Sequence, residues 1–189
     1  MRKDVEGRIR LKFVLYGPED SGKTTILKHF FTSLTSNLQK GKWTSLEDVN
    51  GKTQFFDHAP IEITPIIGFD FYTTAGGKNF SPQRKIVLRD IDGVIFTADS
   101  SKKKIQENIE SFKELKINLR NKKIVPMVIF LNKRDIYDSI SRKEFVKSMG
   151  LEKQILPIVE SIGIQGIGLK EAFKMVVRSV IYLECGLLE

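Results

Sequence analysis

Eight consecutive residues near the N-terminus have the spacing of a phosphate-binding loop, Gly17-x-x-x-x-Gly22-Lys23-Thr24. Its two glycines allow tight backbone curvature, so that successive N–H groups converge on phosphate oxygens. The lysine places a positive charge on the β and γ phosphates, and the threonine hydroxyl suits Mg²⁺. The pattern therefore predicts phosphate binding, with the contacts drawn from Gly17, Glu19, Asp20, Ser21, Gly22, Lys23, Thr24 and Thr25.

A second polar motif, Asn132-Lys133-Arg134-Asp135, directly follows an apolar run that ends at Leu131. The carboxylate of Asp135 can accept both hydrogens that guanine offers at N1 and at the 2-amino group, and adenine lacks that donor pair. Lys133 can lie against the base and support the phosphate loop, while Asn132 ties neighbouring loops together. The tetrapeptide alone is a weak signal, but after a phosphate loop and a buried strand it predicts selection of guanine.

Strands and helices alternate around both motifs, which predicts one domain over residues 1–189. Apolar runs predict strands at 9–16, 61–63, 67–72, 93–99, 125–131 and 157–160, and helical spacing marks 26–34, 105–119 and 169–181. Residues 35–60 show no sustained period and are expected to form a long functional loop. We predict a three-layer α/β/α fold with a central, mostly parallel, six-stranded sheet. Ligands in such folds bind beyond the carboxyl ends of the strands.

Composition indicates a cytoplasmic protein. No apolar run reaches the ~18–20 residues of a membrane span. The charged N-terminal residues have no apolar segment after them, as a signal peptide would. The single cysteine, Cys185, excludes an internal disulfide framework and does not stand where a prenylated cysteine would, and Arg2 occupies the place of a myristoylated glycine. We therefore expect no transmembrane or lipid anchor.

The chain carries a formal net charge of +8. A basic surface can meet nucleic acid, an anionic bilayer or an acidic partner. Aromatic residues do not interleave with the basic clusters, so a solvated surface is favoured over a dedicated nucleic-acid site, and peripheral membrane contact stays open. The clusters are Lys102, Lys103 and Lys104, then Arg120, Lys122 and Lys123, and Arg142 with Lys143.

The sequence resembles Ras-like small GTPases, and within them the bacterial and archaeal gliding-motility (MglA-like) type. The resemblance runs from about residue 9 to about residue 183. It is most specific in Leu15-Tyr16-Gly17-Pro18, Gly22-Lys23-Thr24-Thr25, Phe55-Phe56-Asp57, the segment from Asp92 to Ser100, Asn108-Ile109-Glu110-Ser111 and Asn132-Lys133-Arg134-Asp135.

This resemblance implies a P-loop NTPase that switches between GTP and GDP with Mg²⁺. Thr53 would be the first-switch threonine that meets Mg²⁺ and the γ-phosphate, and Gly76 would donate its backbone N–H to the γ-phosphate from the second switch. A loop of Ser161, Ile162 and Gly163 would close over the guanine, although the family usually has alanine at the last position. The family also implies regulatory or effector proteins, including a Roadblock-type dimer.

Departures from the family pattern concern catalysis. Thr73 stands where an acid usually holds Mg²⁺ through water, and Gly77 stands where a glutamine usually orients the attacking water. Lys52 replaces the arginine that the gliding type often has before the first-switch threonine, and it would have to act with Lys23, Thr53 and Gly76 in catalysis. We therefore predict a protein that binds GTP and hydrolyses it slowly alone.

Two alternatives stay open from the sequence. The first is a pseudo-GTPase or scaffold that holds guanine nucleotide without turnover, as the missing side chain at Gly77 would allow. The second is a P-loop ATPase or nucleotide kinase, in which Asp135 would not select guanine. A kinase should also have an acceptor-binding lid, and no segment of the sequence indicates one.

Overall fold

The computed structural model describes residues 2–34, 38–47, 53–121 and 124–186. Its strands are β1 (Arg2–Lys3), β2 (Ile9–Tyr16), β3 (Gln39–Lys40), β4 (Thr44–Glu47), β5 (Thr53–Thr64), β6 (Ile67–Thr73), β7 (Gly93–Asp99), β8 (Met127–Asn132) and β9 (Ile158–Glu160). Its α-helices are α1 (Lys23–Ser33), α2 (Ser81–Val87), α3 (Ile105–Leu119), α4 (Arg142–Ser148) and α5 (Leu169–Glu184).

One mixed sheet lies at the centre of the molecule, and six of its strands follow one another in the order β5-β6-β2-β7-β8-β9. All neighbours in this row are parallel except β5 and β6, which form an antiparallel hairpin. The prediction of a mostly parallel α/β sheet is confirmed. The number of strands is larger than predicted, because the short antiparallel strands β1, β3 and β4 extend the sheet along β2 and β5.

Strand β5 corrects the prediction of a loop over residues 35–60. It begins at Thr53 and pairs with β6 from His58 opposite Tyr72 to Thr64 opposite Ile67, whereas the sequence predicted a strand only at 61–63. The inward positions Asp57, Ala59 and Ile61 are buried, and the first of these is a carboxylate. A polar residue at an inward position interrupts the apolar alternation, which is why the pattern did not indicate a strand there.

Helices cover both faces of the sheet, which gives the predicted three layers. Helices α1 and α5 pack on one face, where the rings of Phe30 and Phe173 stack with centroids 3.7 Å apart. Helices α2, α3 and α4 contribute Val87, Phe112 and Phe145 to the core on the other face. The central strands are apolar on both sides because each face is covered by helices.

The parallel strands end at one edge of the sheet, and both sequence motifs lie there. The phosphate loop follows β2, and Ser161 follows β9. Asn132 is the last residue of β8, and residues 133–135 come directly after it. The antiparallel strand β5 begins at the same edge, because it runs against β6. Among the described residues, no helix is long and apolar enough to cross a bilayer.

Candidate nucleotide-binding site

The phosphate loop can be closed only with glycine at its two ends. A Cβ atom on Gly17 would lie 2.1 Å from the carbonyl oxygen of Thr97, and one on Gly22 would lie 2.5 Å from Asn132 Nδ2. Gly22 also has a φ of 95° and precedes the first turn of α1 without a side-chain cap. The helix therefore presents backbone N–H groups and the positive end of its dipole to the loop, as anion sites require.

The side chain of Lys23 lies inside this loop and is 6% exposed. Its Nζ donates hydrogen bonds to the carbonyl oxygens of Gly17, at 3.0 Å, and Pro18, at 2.6 Å. Burial, together with the positive charge of Arg84, lowers the pKa of Lys23 to about 7. A phosphate at the loop would favour the charged ammonium, so the lysine is placed to bind phosphate and to take up a proton as it does so.

A buried carboxylate, Asp57 on β5, joins the predicted metal-binding threonines. Asp57 is fully buried, and its Oδ2 accepts hydrogen bonds from the hydroxyls of Thr24, at 2.6 Å, and Thr73, at 2.7 Å. The hydroxyl of Thr53 lies 3.0 Å from that of Thr24, and Ser45 donates to Asp57 Oδ1 at 2.5 Å. A carboxylate and hydroxyl oxygens are hard ligands of the kind that Mg²⁺ prefers, so these residues suit the metal that the fold implies.

Asp57 is a candidate site residue to which the sequence analysis assigned no role. The segment Thr73-Thr74-Ala75-Gly76 lacks the usual acid, and the structure supplies a carboxylate from the neighbouring strand, hydrogen-bonded to Thr73 itself. The signal that could have revealed it is an aspartate at an inward position between apolar residues, four residues after Thr53. Buried carboxylates in proteins are paired, hydrogen-bonded or metal-bound.

Arg84 on α2, a second residue that sequence reasoning missed, holds the segment around Gly76. Its guanidinium is 5% exposed and donates hydrogen bonds to the carbonyl oxygens of Ala75, at 3.0 Å, and Gly77, at 2.6 Å. The same group pairs with Glu114 on α3 at 2.9 Å. Arg84 therefore anchors the predicted second switch to a helix that is packed on the sheet.

The two glycines of this segment have different surroundings. A Cβ on Gly76 would lie 2.5 Å from the backbone nitrogen and Cα of Glu19, so its backbone packs directly on the phosphate loop. At Gly77 the φ is −63°, and the atoms nearest to an added Cβ would be those of the Phe80 ring, at 3.2 Å, and of the Glu19 carboxylate, at 3.7 Å. The structure therefore requires glycine at the first position, whereas a side chain at the second needs only a small shift of the Phe80 ring.

Asn132 connects the loops on the other side of the phosphate loop. Its Nδ2 donates to the carbonyl oxygen of Ser21 at 2.9 Å, and its Oδ1 accepts from the backbone N–H of Gly163 at 2.8 Å. A Cβ on Gly163 would lie 2.7 Å from Ile26 Cγ1, so close packing against α1 explains why glycine stands where the family usually has alanine. Ser161 donates to the carbonyl oxygen of Leu131 at 3.3 Å, and Ile162 bonds Ile167 through the backbone.

Lys133 is held by an ion pair with Asp99, at the end of β7, with a distance of 2.8 Å between Nζ and Oδ2. Burial alone would raise the pKa of Asp99, but hydrogen bonds from Lys133 and Ser101 lower it below its ordinary value. Lys133 also has a φ of 64°, which fixes the backbone turn that leads to Asp135. The ion pair orients the lysine stem beside the cavity that Asp135 borders.

Two adjoining cavities contain most of the predicted contact residues. One, of about 210 Å³, is lined by Glu19, Lys23, Thr24, Thr53 and Gly76, together with Asp20, Gly22 and Thr25. The other, of about 280 Å³, is lined by Asp20, Gly22, Thr25, Asn132, Lys133, Asp135, Ile136, Gly163 and Ile164. The first has the donors for phosphates and the second has the groups for a purine base. Lys52 lies outside the described residues.

A phosphate loop at the carboxyl edge of a parallel sheet, beside a second motif that borders a base-sized cavity, defines a P-loop nucleotide-binding protein. The sequence matches the profile of the ADP-ribosylation factor family over residues 1–180. The chain belongs to this family, and hence to the GTP-binding small GTPases. Members of the family bind guanine nucleotides with Mg²⁺, and regulatory or effector proteins.

Individual relatives agree with this assignment. The mutual gliding-motility protein MglA of Myxococcus xanthus (strain DK1622) is 34% identical over 181 residues, which are 92% of this chain and 91% of the relative. ADP-ribosylation factor-like protein 3 of Caenorhabditis elegans is 27% identical over 158 residues, 79% of this chain and 74% of the relative.

The structure of the Arl6 BBS3 small GTPase from Trypanosoma brucei, with a bound nucleotide analogue GppNp, superposes with a TM-score of 0.69. It is 22% identical to this chain, and the match covers 90% of this chain and 97% of the other. This likeness shows that the two chains share a fold, which agrees with the predicted α/β P-loop architecture.

Proposed function

We propose that this chain binds GTP and GDP with Mg²⁺ and acts as a molecular switch whose own hydrolysis of GTP is slow. The proposal rests on the hydrogen bonds that join the side chains of Asp57, Thr24 and Thr53 beside the phosphate loop. These three groups would hold Mg²⁺, which when bound neutralises charge on the β and γ phosphates. Asp135 would select guanine in the adjoining cavity.

The GTP form would be stabilised by contacts that the GDP form lacks. Thr53, the first residue of β5, and Gly76, three residues after the end of the neighbouring strand β6, both line the phosphate cavity. A γ-phosphate would order both segments, and its loss would release them, so that a partner can distinguish the two states.

Slow hydrolysis of GTP is expected from the residue at position 77, which lines the phosphate cavity. A water-positioning side chain is a usual part of GTP hydrolysis, and Gly77 supplies none. Lys23, Thr24 and the loop backbone are all present, so the contacts to bound nucleotide do not depend on that missing part. Binding can persist where transition-state stabilisation is lost.

A regulatory protein would supply the missing catalytic part. MglA-like proteins suggest a Roadblock-type dimer as that partner, and the exposed rim of the second switch would be its contact surface. The same reasoning supports the second candidate, a pseudo-GTPase, because Gly77 lacks a side chain in either case. The two differ in whether a partner restores turnover.

The test begins with the nucleotide that co-purifies with the full chain, identified by chromatography after denaturation. Guanine nucleotide supports the proposal, and adenine nucleotide contradicts the role of Asp135. Single-turnover hydrolysis of bound GTP then gives the rate, expected at or below the intrinsic Ras-like range of about 10⁻⁴–10⁻³ per second. A much faster rate would contradict slow hydrolysis, and no turnover with any Roadblock-type partner would favour the pseudo-GTPase.

A further inference from the structure

Asp99 is the last residue of β7, and the parallel register with β8 places it opposite Asn132, the residue before Lys133. Its side chain is 2% exposed, whereas that of Lys133 is 35% exposed. Asp99 Oδ2 lies 2.8 Å from Lys133 Nζ, and Oδ1 accepts hydrogen bonds from the backbone N–H of Ser101, at 2.9 Å, and from its hydroxyl, at 2.8 Å. Both carboxylate oxygens are therefore occupied, and a buried acid holds a partly exposed lysine.

A buried asparagine on α3 fixes the backbone of Asp99. Asn108 is fully buried, and its Oδ1 accepts a hydrogen bond from the N–H of Asp99 at 3.1 Å. Its Nδ2 donates to the carbonyl oxygen of Asp99 at 2.8 Å. Asn108 begins one of the segments in which the sequence resembles its family, and neither the phosphate loop nor the guanine motif explains that segment. The structure connects it to the end of β7, and through Asp99 to Lys133.

The backbone of the guanine motif is attached to the same end of β7. The N–H of Ser100 donates to the carbonyl oxygen of Asn132 at 3.0 Å, and its hydroxyl donates to the carbonyl oxygen of Lys133 at 2.8 Å. Lys133 has a φ of 64°, a conformation that residues with a side chain rarely adopt, so contacts from outside the turn are needed to stabilise it. The end of β7 therefore fixes both the backbone and the side chain of Lys133.

Lys133 lines the base cavity together with Asp135. A lysine side chain has many rotamers, and fixing one of them when a ligand binds costs conformational entropy. The ion pair with Asp99 holds the ammonium group before a nucleotide arrives and leaves the methylene stem free to contact an apolar surface, such as the face of a base. We propose that Asp99, fixed by Asn108, is a positioning residue that prepares Lys133 to contact the face of the purine base.

This inference rests on the proposed function and adds how the base is held. The test measures the affinity of nucleotide-free full chain for fluorescent GDP in the wild type, in Asp99→Asn, in Lys133→Met and in the double variant. Asp99→Asn keeps the size of the side chain and removes the charge that holds the lysine. We expect GDP affinity to fall by about tenfold in Asp99→Asn, because Lys133 must then be ordered when the nucleotide binds.

The double variant shows whether Asp99 acts through Lys133. Its GDP affinity should be within about twofold of that of Lys133→Met, because the residue at position 99 then has no lysine to hold. A merely structural role of Asp99 would instead lower the affinity by the same factor with and without Lys133. Asn108→Ala, which removes both hydrogen bonds to the backbone of Asp99, should show the same dependence on Lys133.

Competition with IDP, which lacks the 2-amino group of guanine, separates the positioning of Lys133 from a general loosening of the loop. The preference for GDP over IDP depends on Asp135 and should be unchanged in Asp99→Asn. Asp138→Asn is the matched control, because Asp138 is an exposed acid of the same loop that is not among the residues lining the base cavity. Its GDP affinity should equal that of the wild type.

Thermal melting establishes that each variant is folded, and Asn108→Ala provides the same comparison if Asp99→Asn is not. A fall in GDP affinity in Asp99→Asn that disappears in the Lys133→Met background supports the inference. Affinity within about twofold of wild type in Asp99→Asn, an equal fall in both backgrounds, or a lost preference for GDP over IDP overturns this inference alone. Failure of the wild-type chain to bind GDP overturns the proposed function as well.

Discussion

Asp57 Oδ2 accepts a 2.6 Å hydrogen bond from the hydroxyl of Thr24, across the gap between β5 and the first turn of α1. The threonine belongs to the phosphate loop and the aspartate to a strand that the sequence did not predict at that position. Their contact places a buried carboxylate where it could bind a nucleotide-bound Mg²⁺ directly or accept a hydrogen bond from a water molecule on that ion.

Replacing that charge should uncouple nucleotide binding from magnesium. Asp57→Asn keeps an oxygen that can accept from Thr24 and Thr73 but removes the negative charge. We expect the gain in GDP affinity on adding Mg²⁺ to fall by about tenfold or more, because charged ligands provide much of the attraction for the ion. Titration of fluorescent GDP with Mg²⁺ and with EDTA measures this.

The affinity in EDTA is the internal control for Asp57→Asn. It should match that of the wild-type chain, because the phosphate loop and the base cavity are untouched. A variant that gains as much from Mg²⁺ as the wild type would show that Asp57 serves only the packing of β5.

Asp135 should decide which base is bound. Asp135→Asn replaces an acceptor of two hydrogen bonds by an amide, which can donate to the carbonyl that xanthine carries in place of the guanine amino group. GDP affinity should fall by at least about a hundredfold, because buried polar groups of the base lose their partners, while XDP gains. Competition between GDP and XDP measures the change, and equal losses for both would argue against a contact with the base edge.

Substitutions at the two glycines of the second switch should affect different properties of the chain. Gly77→Gln places a polar side chain beside the phosphate cavity at a φ of −63°, which any residue can adopt. We expect single-turnover GTP hydrolysis to rise by about tenfold or more, because a water-positioning group contributes directly to the rate.

Gly77→Ala is the control for Gly77→Gln, since it adds the Cβ atom without a polar group and should leave the rate of hydrolysis unchanged. Gly76→Ala should instead lower GTP affinity, because its Cβ would lie 2.5 Å from the Glu19 backbone. If Gly77→Ala accelerated hydrolysis as much as Gly77→Gln does, packing rather than water positioning would explain the effect.

Binding of phosphate should be accompanied by proton uptake at Lys23. Burial lowers its pKa to about 7 in the folded chain, so near pH 8.5 the lysine is largely neutral and must be protonated to bind phosphate. We expect uptake of up to about one proton per nucleotide at this pH, and affinity that decreases as the pH rises above about 7. Calorimetry in buffers of different ionisation enthalpy measures the uptake.

The same pKa has a consequence for folding stability. Between about pH 7 and pH 10.5 the unfolded chain binds the proton of Lys23 and the folded chain does not, so this residue makes stability rise with pH over that interval. Lys23→Met should remove both the proton uptake and this part of the pH dependence. Unchanged uptake in Lys23→Met would assign the proton to another group.

Local patterns in the sequence were enough for most of the framework. Strands β2 and β7 and helix α3 have the predicted limits, because continuous apolar runs and helical spacing are properties of consecutive residues. The phosphate loop and Asn132 to Asp135 were also found, since their chemistry is carried by neighbours in the chain. The parallel sheet followed from the alternation of strand and helix.

The tertiary structure alone decided which distant side chains complete the site. Asp57 meets Thr24, and Arg84 meets Glu114, across about thirty residues of chain in each case. Each contact depends on strand register and helix packing, and neither leaves a periodic signal in the sequence. The sequence by itself contains the phosphate-loop pattern and the tetrapeptide Asn132-Lys133-Arg134-Asp135, from which selection of guanine was predicted. Folding determined that a buried carboxylate lies beside the first and that Glu19 lies against the second switch.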